Sequence, residues 1–338
     1  MLWWCWFACT GPSGPGATEG IDPELERALT DAVARGRLLA GAPAASVAVR
    51  LADGTEWASA DGAETSDVFH IGSITKTFVA TLVLQLADEG ALGLDDLVSA
   101  TVPAAPYADR ITVRQLLAHS SGLPDYAGQP EILGSLADEH DPWELLDAID
   151  GADLLFEPGT DHFYANTNYV ILGLVVDAAT GGRWEDLLTE RLLGGLPATS
   201  VEGAPSVAGH NNGVDATGVF DPSIAGAAGR MVSDATGIER WGARLYDGDV
   251  LADDLLADML TPTAGSLDEA EGYGLGAMVL EVGGDTFVGH SGSIIGFQSR
   301  LRYRRSDGTV VATLVNDFLA EADLIDAAVW DVLGTPLP

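Results

Sequence analysis

Ser73 and Lys76 stand three positions apart in the segment Ser73-Ile74-Thr75-Lys76. On a helix, that spacing puts the lysine amine one turn from the serine hydroxyl, on the same face. A hydroxyl beside an amine is the arrangement of a nucleophile with its base. Lys76 is also the only lysine in the chain; the other 15 of the 16 basic residues are arginine. Arginine is the better surface cation and anion binder, whereas lysine has a pKa that burial can lower towards neutrality. A composition that has otherwise dropped lysine keeps it where an amine is needed. Two further polar clusters could join the pair: Phe163-Tyr164-Ala165-Asn166-Thr167-Asn168-Tyr169 and Gly289-His290-Ser291-Gly292-Ser293. Each lies at the end of a regular element, where active sites are commonly assembled.

The elements that must position these clusters are legible from periodicity. Asp22 to Leu39 reads as a helix, with Pro23 in its first turn and Leu25, Leu29 and Val33 at helical spacing. Ala45 to Leu51 and Thr55 to Ala60 alternate as strands around the turn Asp53-Gly54. Ser73 to Glu89 is a helix stopped by Gly90. From there to about residue 260 the pattern is helical: Val113 to Ala118, Pro142 to Ile149, Asn168 to Ala179, Trp184 to Leu192 and Ala235 to Tyr246. Four strands follow, Gly274 to Val282, Thr286 to His290, Phe297 to Tyr303 and Val310 to Asn316, and Ala320 to Leu333 closes as a helix. Neither end has enough strands for a sheet of its own, so the two ends must pair across the chain. The expected fold is α+β: an antiparallel sheet flanked by terminal helices, plus a mainly helical subdomain, with the site between them. The sheet part is placed at about 21–70 and 265–338 and the helical part at about 71–264, within one domain spanning 21–338.

Composition narrows the function classes. The net charge is −35, and Arg300, Arg302, Arg304 and Arg305 form the only basic run. Such a surface excludes nucleic acid and anionic membranes as partners. The acidity is read as a device for solubility or for a saline habitat. Arg300, Arg302 and Arg304 alternate and share one strand face, read as solvated, with carboxylate capture as the alternative. Both cysteines, Cys5 and Cys9, precede residue 10. The body therefore has no internal disulfide and no cysteine-ligated metal. His70, His140, His162 and His210 lack metal-ligand spacing, and neither a metal nor a cofactor is expected. Met1 to Ala8 is apolar but too short to span a membrane. With the Gly/Pro/Ser tether that follows, it resembles the end of a bacterial lipoprotein signal with Cys9 as the lipidated residue. The reading is an exported, periplasmic or cell-envelope protein, tethered by lipid at Cys9, with residues 1–20 disordered or removed; the alternative is an uncleaved tail on a cytoplasmic protein.

Taken together, the three clusters resemble the motif set of the serine β-lactamase and D-alanyl-D-alanine carboxypeptidase superfamily, in the branch holding class C β-lactamases, peptidases and esterases. Its Ser-x-x-Lys, Tyr-x-Asn and Lys/His-x-Gly motifs stand here as Ser73/Lys76, Tyr164/Asn166 and His290/Gly292. The segments 112–123 and 226–233 add to the match, which spans about residues 25 to 333. His290 replaces the lysine common in the third motif and Ser291 stands where threonine is usual, which disfavours a broad-spectrum β-lactamase. The resemblance implies an acyl-enzyme at Ser73, with Lys76, Tyr164 or the two as a coupled pair taking its proton. A lysinium would lower the tyrosine pKa while burial lowers that of the lysine. The resemblance also implies an oxyanion hole from the backbone N–H groups of Ser73 and Ser293. Asn166, His290, Ser291 and Gly292 would bind substrate. His290 would relay protons or hold a substrate carboxylate, and would titrate near 6.5 unless buried. His119, in His-Ser-Ser-Gly, is read as a satisfied buried histidine. The implied function is that of a serine hydrolase acting on a small molecule or peptide with an acyl, ester or amide carbonyl. A D-alanyl-D-alanine carboxypeptidase-like or β-lactamase-related peptidase leads; a small-ester carboxylesterase or D-aminopeptidase is the alternative. A non-catalytic binding protein on the same scaffold is the rival from another class, and the intact Ser73, Lys76 and Tyr164 argue against it.

Overall fold

The computed structural model describes residues 20–263, 265, 271–335 and 337. The lipid site expected at Cys9 and the tether through residue 19 lie outside the described residues. No helix among the described residues is long and apolar enough to cross a membrane.

Helix α1 (Pro23–Ala40) opens on Asp22, whose carboxylate accepts from the Glu24 and Leu25 N–H groups, and closes on Gly41 at φ 73°. Strands β1 (Ala45–Arg50) and β2 (Glu56–Asp61) form the hairpin expected around Asp53-Gly54. Two two-stranded ribbons follow in the chain: β3 (Phe69–His70) with β6 (Val232–Ser233), and β4 (His210–Asn211) with β5 (Val214–Asp215). The remaining strands are β7 (Glu271–Tyr273), β8 (Met278–Val282), β9 (Asp285–Ile294), β10 (Phe297–Arg304) and β11 (Val310–Val315). The principal sheet has seven strands in the order β2-β1-β11-β10-β9-β8-β7, all antiparallel. The two ends of the chain thus meet at the β1–β11 pair. All six residues of β11 are buried, as befits a central strand covered on both faces.

One face of the sheet is covered by α1 and by α10 (Ala322–Val332), around Val47, Val49, Phe287, Val311 and Trp330. The other face carries the larger core, which runs without interruption through α2 (Thr75–Asp88), α6 (Asn166–Thr180), α7 (Trp184–Leu192) and α8 (Ala235–Tyr246). Shorter helices α3 (Val113–Leu117), α4 (Pro130–Leu133), α5 (Pro142–Asp147) and α9 (Asp253–Met259) complete the helical part. Helix α8 packs directly on β1, β10 and β11.

Three local expectations change. The strand placed at 274–282 is a hairpin, β7–β8, that turns through Gly274-Leu275-Gly276-Ala277. Gly276 has φ +85°, and a Cβ on Gly274 would strike the Met259 carbonyl. Strand β9 runs four residues beyond His290, because β10 pairs with it as far as Ile294. The arginine face of β10 is not solvated but lies beneath α10. Arg300 pairs with Asp323 at 2.6 Å and Arg302 with Asp326 at 2.6 Å, while Arg304 pairs with Asp307 at 2.7 Å. The carboxylates captured there belong to the chain itself.

Candidate active site

Ser73 sits in a 3-10 turn, Gly72–Ile74, that leads into α2, with Lys76 in the first turn of the helix. The Lys76 side chain is fully buried, yet each of its three protons has an acceptor. Nζ donates to Ser73 Oγ at 2.9 Å, to Asn166 Oδ1 at 2.9 Å and to the Ala228 carbonyl at 2.7 Å. Three acceptors suit the ammonium form, while burial favours the neutral amine. Burial wins most of the contest and brings the Lys76 pKa down to about 7, with the Asp125 carboxylate holding it up. Lys76 therefore exchanges its proton near neutrality, as a base for Ser73 must.

Asp125 was not among the residues singled out in the sequence. It lies in the loop after the His-Ser-Ser-Gly segment and accepts from the Asn166 backbone N–H at 3.2 Å and from Asn166 Nδ2 at 3.0 Å. With Nδ2 committed to Asp125, the Asn166 carbonyl oxygen faces Lys76. Burial raises the Asp125 pKa, against the pull of its hydrogen bonds and of Lys76. A sequence signal existed, since an aspartate after Leu123-Pro124 is turn chemistry. Nothing in the spacing tied it to residue 166.

Tyr164 lies on the other side of Lys76. The ammonium is 4.9 Å from the ring centroid, over the ring face. The phenol is buried, and its oxygen has no partner with hydrogen-bond geometry, although Ser73 lies close enough to pull its pKa down slightly. Burial dominates and pushes the Tyr164 pKa up. This reverses the expectation that a lysinium would lower it, because the loss of solvation outweighs the groups that would favour the phenolate. The loop is braced from behind by His119, whose ring is tilted against that of Tyr164 at 4.2 Å between centroids. His119 Nδ1 accepts from Asn168 Nδ2 at 2.9 Å and from the Ala165 N–H at 3.3 Å. Its Nε2 is buried without a partner among the described residues, so this histidine is satisfied on one side only.

The third cluster lies on β9, and strand alternation divides it between two faces. His290 and Gly292 share the face of Val288 and Ile294, towards the helical part, whereas Ser291 shares the face of Phe287, towards α10. The Ser291 hydroxyl accordingly donates to Met278 Sδ at 3.5 Å and lines a small cavity with Arg300, Arg302 and Asp323. The structure therefore does not bring its side chain to the cavity at Ser73. His290 is buried, and its pKa falls to about 3. Desolvation is the main cause, followed by the Lys76 charge. Nδ1 lies 2.6 Å from the Ser291 carbonyl, which can only accept, so Nδ1 carries the proton. Nε2 then accepts from the Tyr273 hydroxyl at 3.0 Å. With both nitrogens engaged and the ring neutral, His290 does not offer a cation to a substrate carboxylate, contrary to that part of the expectation.

Two glycines set the gap between the turn and the strand. Gly72 has φ +51°, and a Cβ there would lie 2.9 Å from the Ser293 nitrogen. A Cβ on Gly292 would overlap the Ile71 carbonyl and Ser299 Oγ. Ser299 Oγ donates to the Ile71 carbonyl at 2.7 Å and ties the turn to the sheet. Ser73 and Ser293, the two expected oxyanion donors, thereby line one cavity of about 280 Å³ together with Asn166. Its other walls include Tyr126, Ile132, Leu136, Phe220, Ile224 and Ile295. No charged side chain lines it among the described residues.

The chain is similar to known proteins over most of its length. The Beta-lactamase family model matches residues 25–334. "Penicillin-binding protein 4" of Amycolatopsis lactamdurans is 31% identical over 307 residues, covering 81% of this chain and 79% of that protein. Among solved structures, a D-stereospecific amidohydrolase from Streptomyces sp. is 31% identical with a TM-score of 0.79, over 90% of this chain and 97% of the other. A D-amino acid amidase from Ochrobactrum anthropi SV3 is 26% identical with a TM-score of 0.80, over 92% and 99%.

Proposed function

Because the chain belongs to the Beta-lactamase family, and is thereby a serine hydrolase, we propose that it hydrolyses amides and small esters of apolar D-amino acids through an acyl-enzyme at Ser73. The observation that carries this reading is that, beyond Lys76 at the nucleophile, the cleft offers no cation among its described walls, which are apolar or uncharged, and His290 is neutral. A D,D-carboxypeptidase must hold the free carboxylate of its substrate, which calls for a buried cation or a set of aimed donors. A neutral amide or ester leaving group needs neither. The two amidase-like structures supply the D-stereochemistry of the proposal.

In the proposed reaction, neutral Lys76 takes the Ser73 proton as Oγ attacks the carbonyl. The Ser73 and Ser293 N–H groups receive the oxyanion. The proton passes by way of Lys76 and the Tyr164 hydroxyl to the departing amine or alcohol. Water, deprotonated by the same pair, then releases the acid. Tyr164, with its raised pKa, stays protonated and acts as donor and conduit; Lys76 is the base. A D-alanyl-D-alanine carboxypeptidase is the second reading, favoured by the likeness to penicillin-binding protein 4.

The test is turnover of D-phenylalanine amide, p-nitrophenyl esters, an acylated D-alanyl-D-alanine peptide and benzylpenicillin, each with intact-protein mass and each beside Ser73→Ala. We expect turnover of the amide and esters, loss of all turnover in Ser73→Ala, and at least tenfold lower kcat/KM for the peptide. Faster cleavage of the D-alanyl-D-alanine bond would move the assignment to the carboxypeptidase.

A further inference from the structure

A second and larger cavity, of about 520 Å³, adjoins the one at Ser73. The two share Phe220 and Ile295 as walls, so they are neighbours across these residues. The further walls include Pro205, Val207, Pro222 and Phe297. The one titratable group is His70, which burial keeps neutral by bringing its pKa down to about 4.

The chemistry fixes which part of a substrate points there. The serine proton must reach the leaving group, so that group lies on the side of Tyr164. The Tyr164 ring is 6.1 Å from that of His290, at one end of the cleft-lining stretch of β9. Ile295 follows the other end of the stretch, five residues along from His290. Strand rise puts Ile294, at that end, about 13 Å away, and Ile295 follows in the turn to β10. With the leaving group at the His290 end, the acyl arm runs past Ser293 towards Ile295.

We propose that the cavity beyond Phe220 and Ile295 is a second acyl-side subsite, which takes an uncharged apolar residue joined to the amine of the scissile D-amino acid. The preferred substrate is then an N-aminoacylated D-amino acid amide, not a free D-amino acid amide. This rests on the acyl-hydrolase reading of Ser73. It deepens that reading by assigning the length and polarity of the acyl arm. An aspartyl extension gains nothing, because the cavity has no described cation to receive it and the protein already carries a net charge of −35.

The experiment compares kcat/KM for D-phenylalanine amide with that for its glycyl, leucyl and aspartyl extensions, and repeats the series with p-nitrophenyl esters of the same acyl groups. We expect leucyl to exceed the unextended substrate at least tenfold, glycyl to fall between, and aspartyl to show no gain. Ala208→Trp and Thr217→Trp fill the cavity from exposed positions outside the catalytic cluster. Each should abolish the leucyl gain and leave the unextended substrate within twofold of wild type. Equal kcat/KM across the series, or a leucyl gain that survives both tryptophans, would overturn the proposal. Esters turned over without amides would instead defeat the amidase reading, and the ester series would still decide the subsite.

Discussion

The Lys76 ammonium rests over the face of the Tyr164 ring, 4.9 Å from its centre. The free pKa values of the two groups are nearly equal. Burial lowers the lysine to about 7 and raises the tyrosine. With Lys76 as the base, kcat/KM should climb with a midpoint near pH 7 and show no dependence on tyrosine ionisation up to about pH 10. Lys76→Arg should be as damaging as Lys76→Ala, each about 100-fold or more, because arginine keeps its proton. Steady-state kinetics from pH 5 to 10 check both; an active arginine variant would remove Lys76 from the role of base.

Asp125 holds the Lys76 pKa up and turns Asn166 towards it. Replacing its charge in Asp125→Asn should move the ascending limb to lower pH by about one unit, since a nearby opposite charge no longer favours the ammonium. The weaker hold on Asn166 should lower kcat at the plateau roughly tenfold. A pH profile separates the two effects. A reduced plateau with an unmoved limb would leave Asp125 with an orienting role only.

Gly72 is where the turn carrying Ser73 meets the strand carrying Ser293. Gly72→Ala must push the Ser293 nitrogen away and adopt an unfavourable φ. We expect kcat to fall by about 100-fold or more, as for a lost oxyanion donor, with KM little changed. A Tm within a few degrees of wild type would show that the loss is local to the site.

Glu239, on α8, is buried with both carboxylate oxygens lacking partners among the described residues. Burial first, and then Glu56, raise its pKa to about 8. The folded protein therefore keeps a proton that the unfolded chain releases above about 4.5. The stability this gives is complete below that value, declines as pH rises, and is gone above about 8. Glu239→Gln should stabilise the fold at pH 8.5 by about 1–3 kcal/mol and have less effect at pH 5. Urea unfolding at the two pH values measures the difference.

That Ser73, Lys76, Tyr164 and Asn166 come together was legible because residue type and spacing carry the information: a lone lysine three positions from a serine, and a tyrosine two from an asparagine. The sheet was legible because strand periodicity survives in residues 45–51 and 310–316, and because too few strands lie at either end to stand alone. What escaped is what depends on contacts between distant segments. Asp125 meets Asn166 across a separation that no local pattern encodes. His290 looked like a titrating group from its type, and only the packing of Tyr273 and Lys76 around it makes it neutral. Arg300, Arg302 and Arg304 had the alternation of a solvated face, because α10, which covers them, lies some twenty residues downstream.

The pairing of β1 with β11 brings the first strand of the chain against the last, and β9 sits two strands further in. During synthesis, the hydroxyl and amine of residues 73 and 76 emerge long before the strand that carries Ser293 can be locked in place. A nascent chain that ends before Val310 should leave a fluorophosphonate unreacted, where the finished chain is labelled at Ser73. The order of translation thus acts as a safety catch: the nucleophile is made early and armed last.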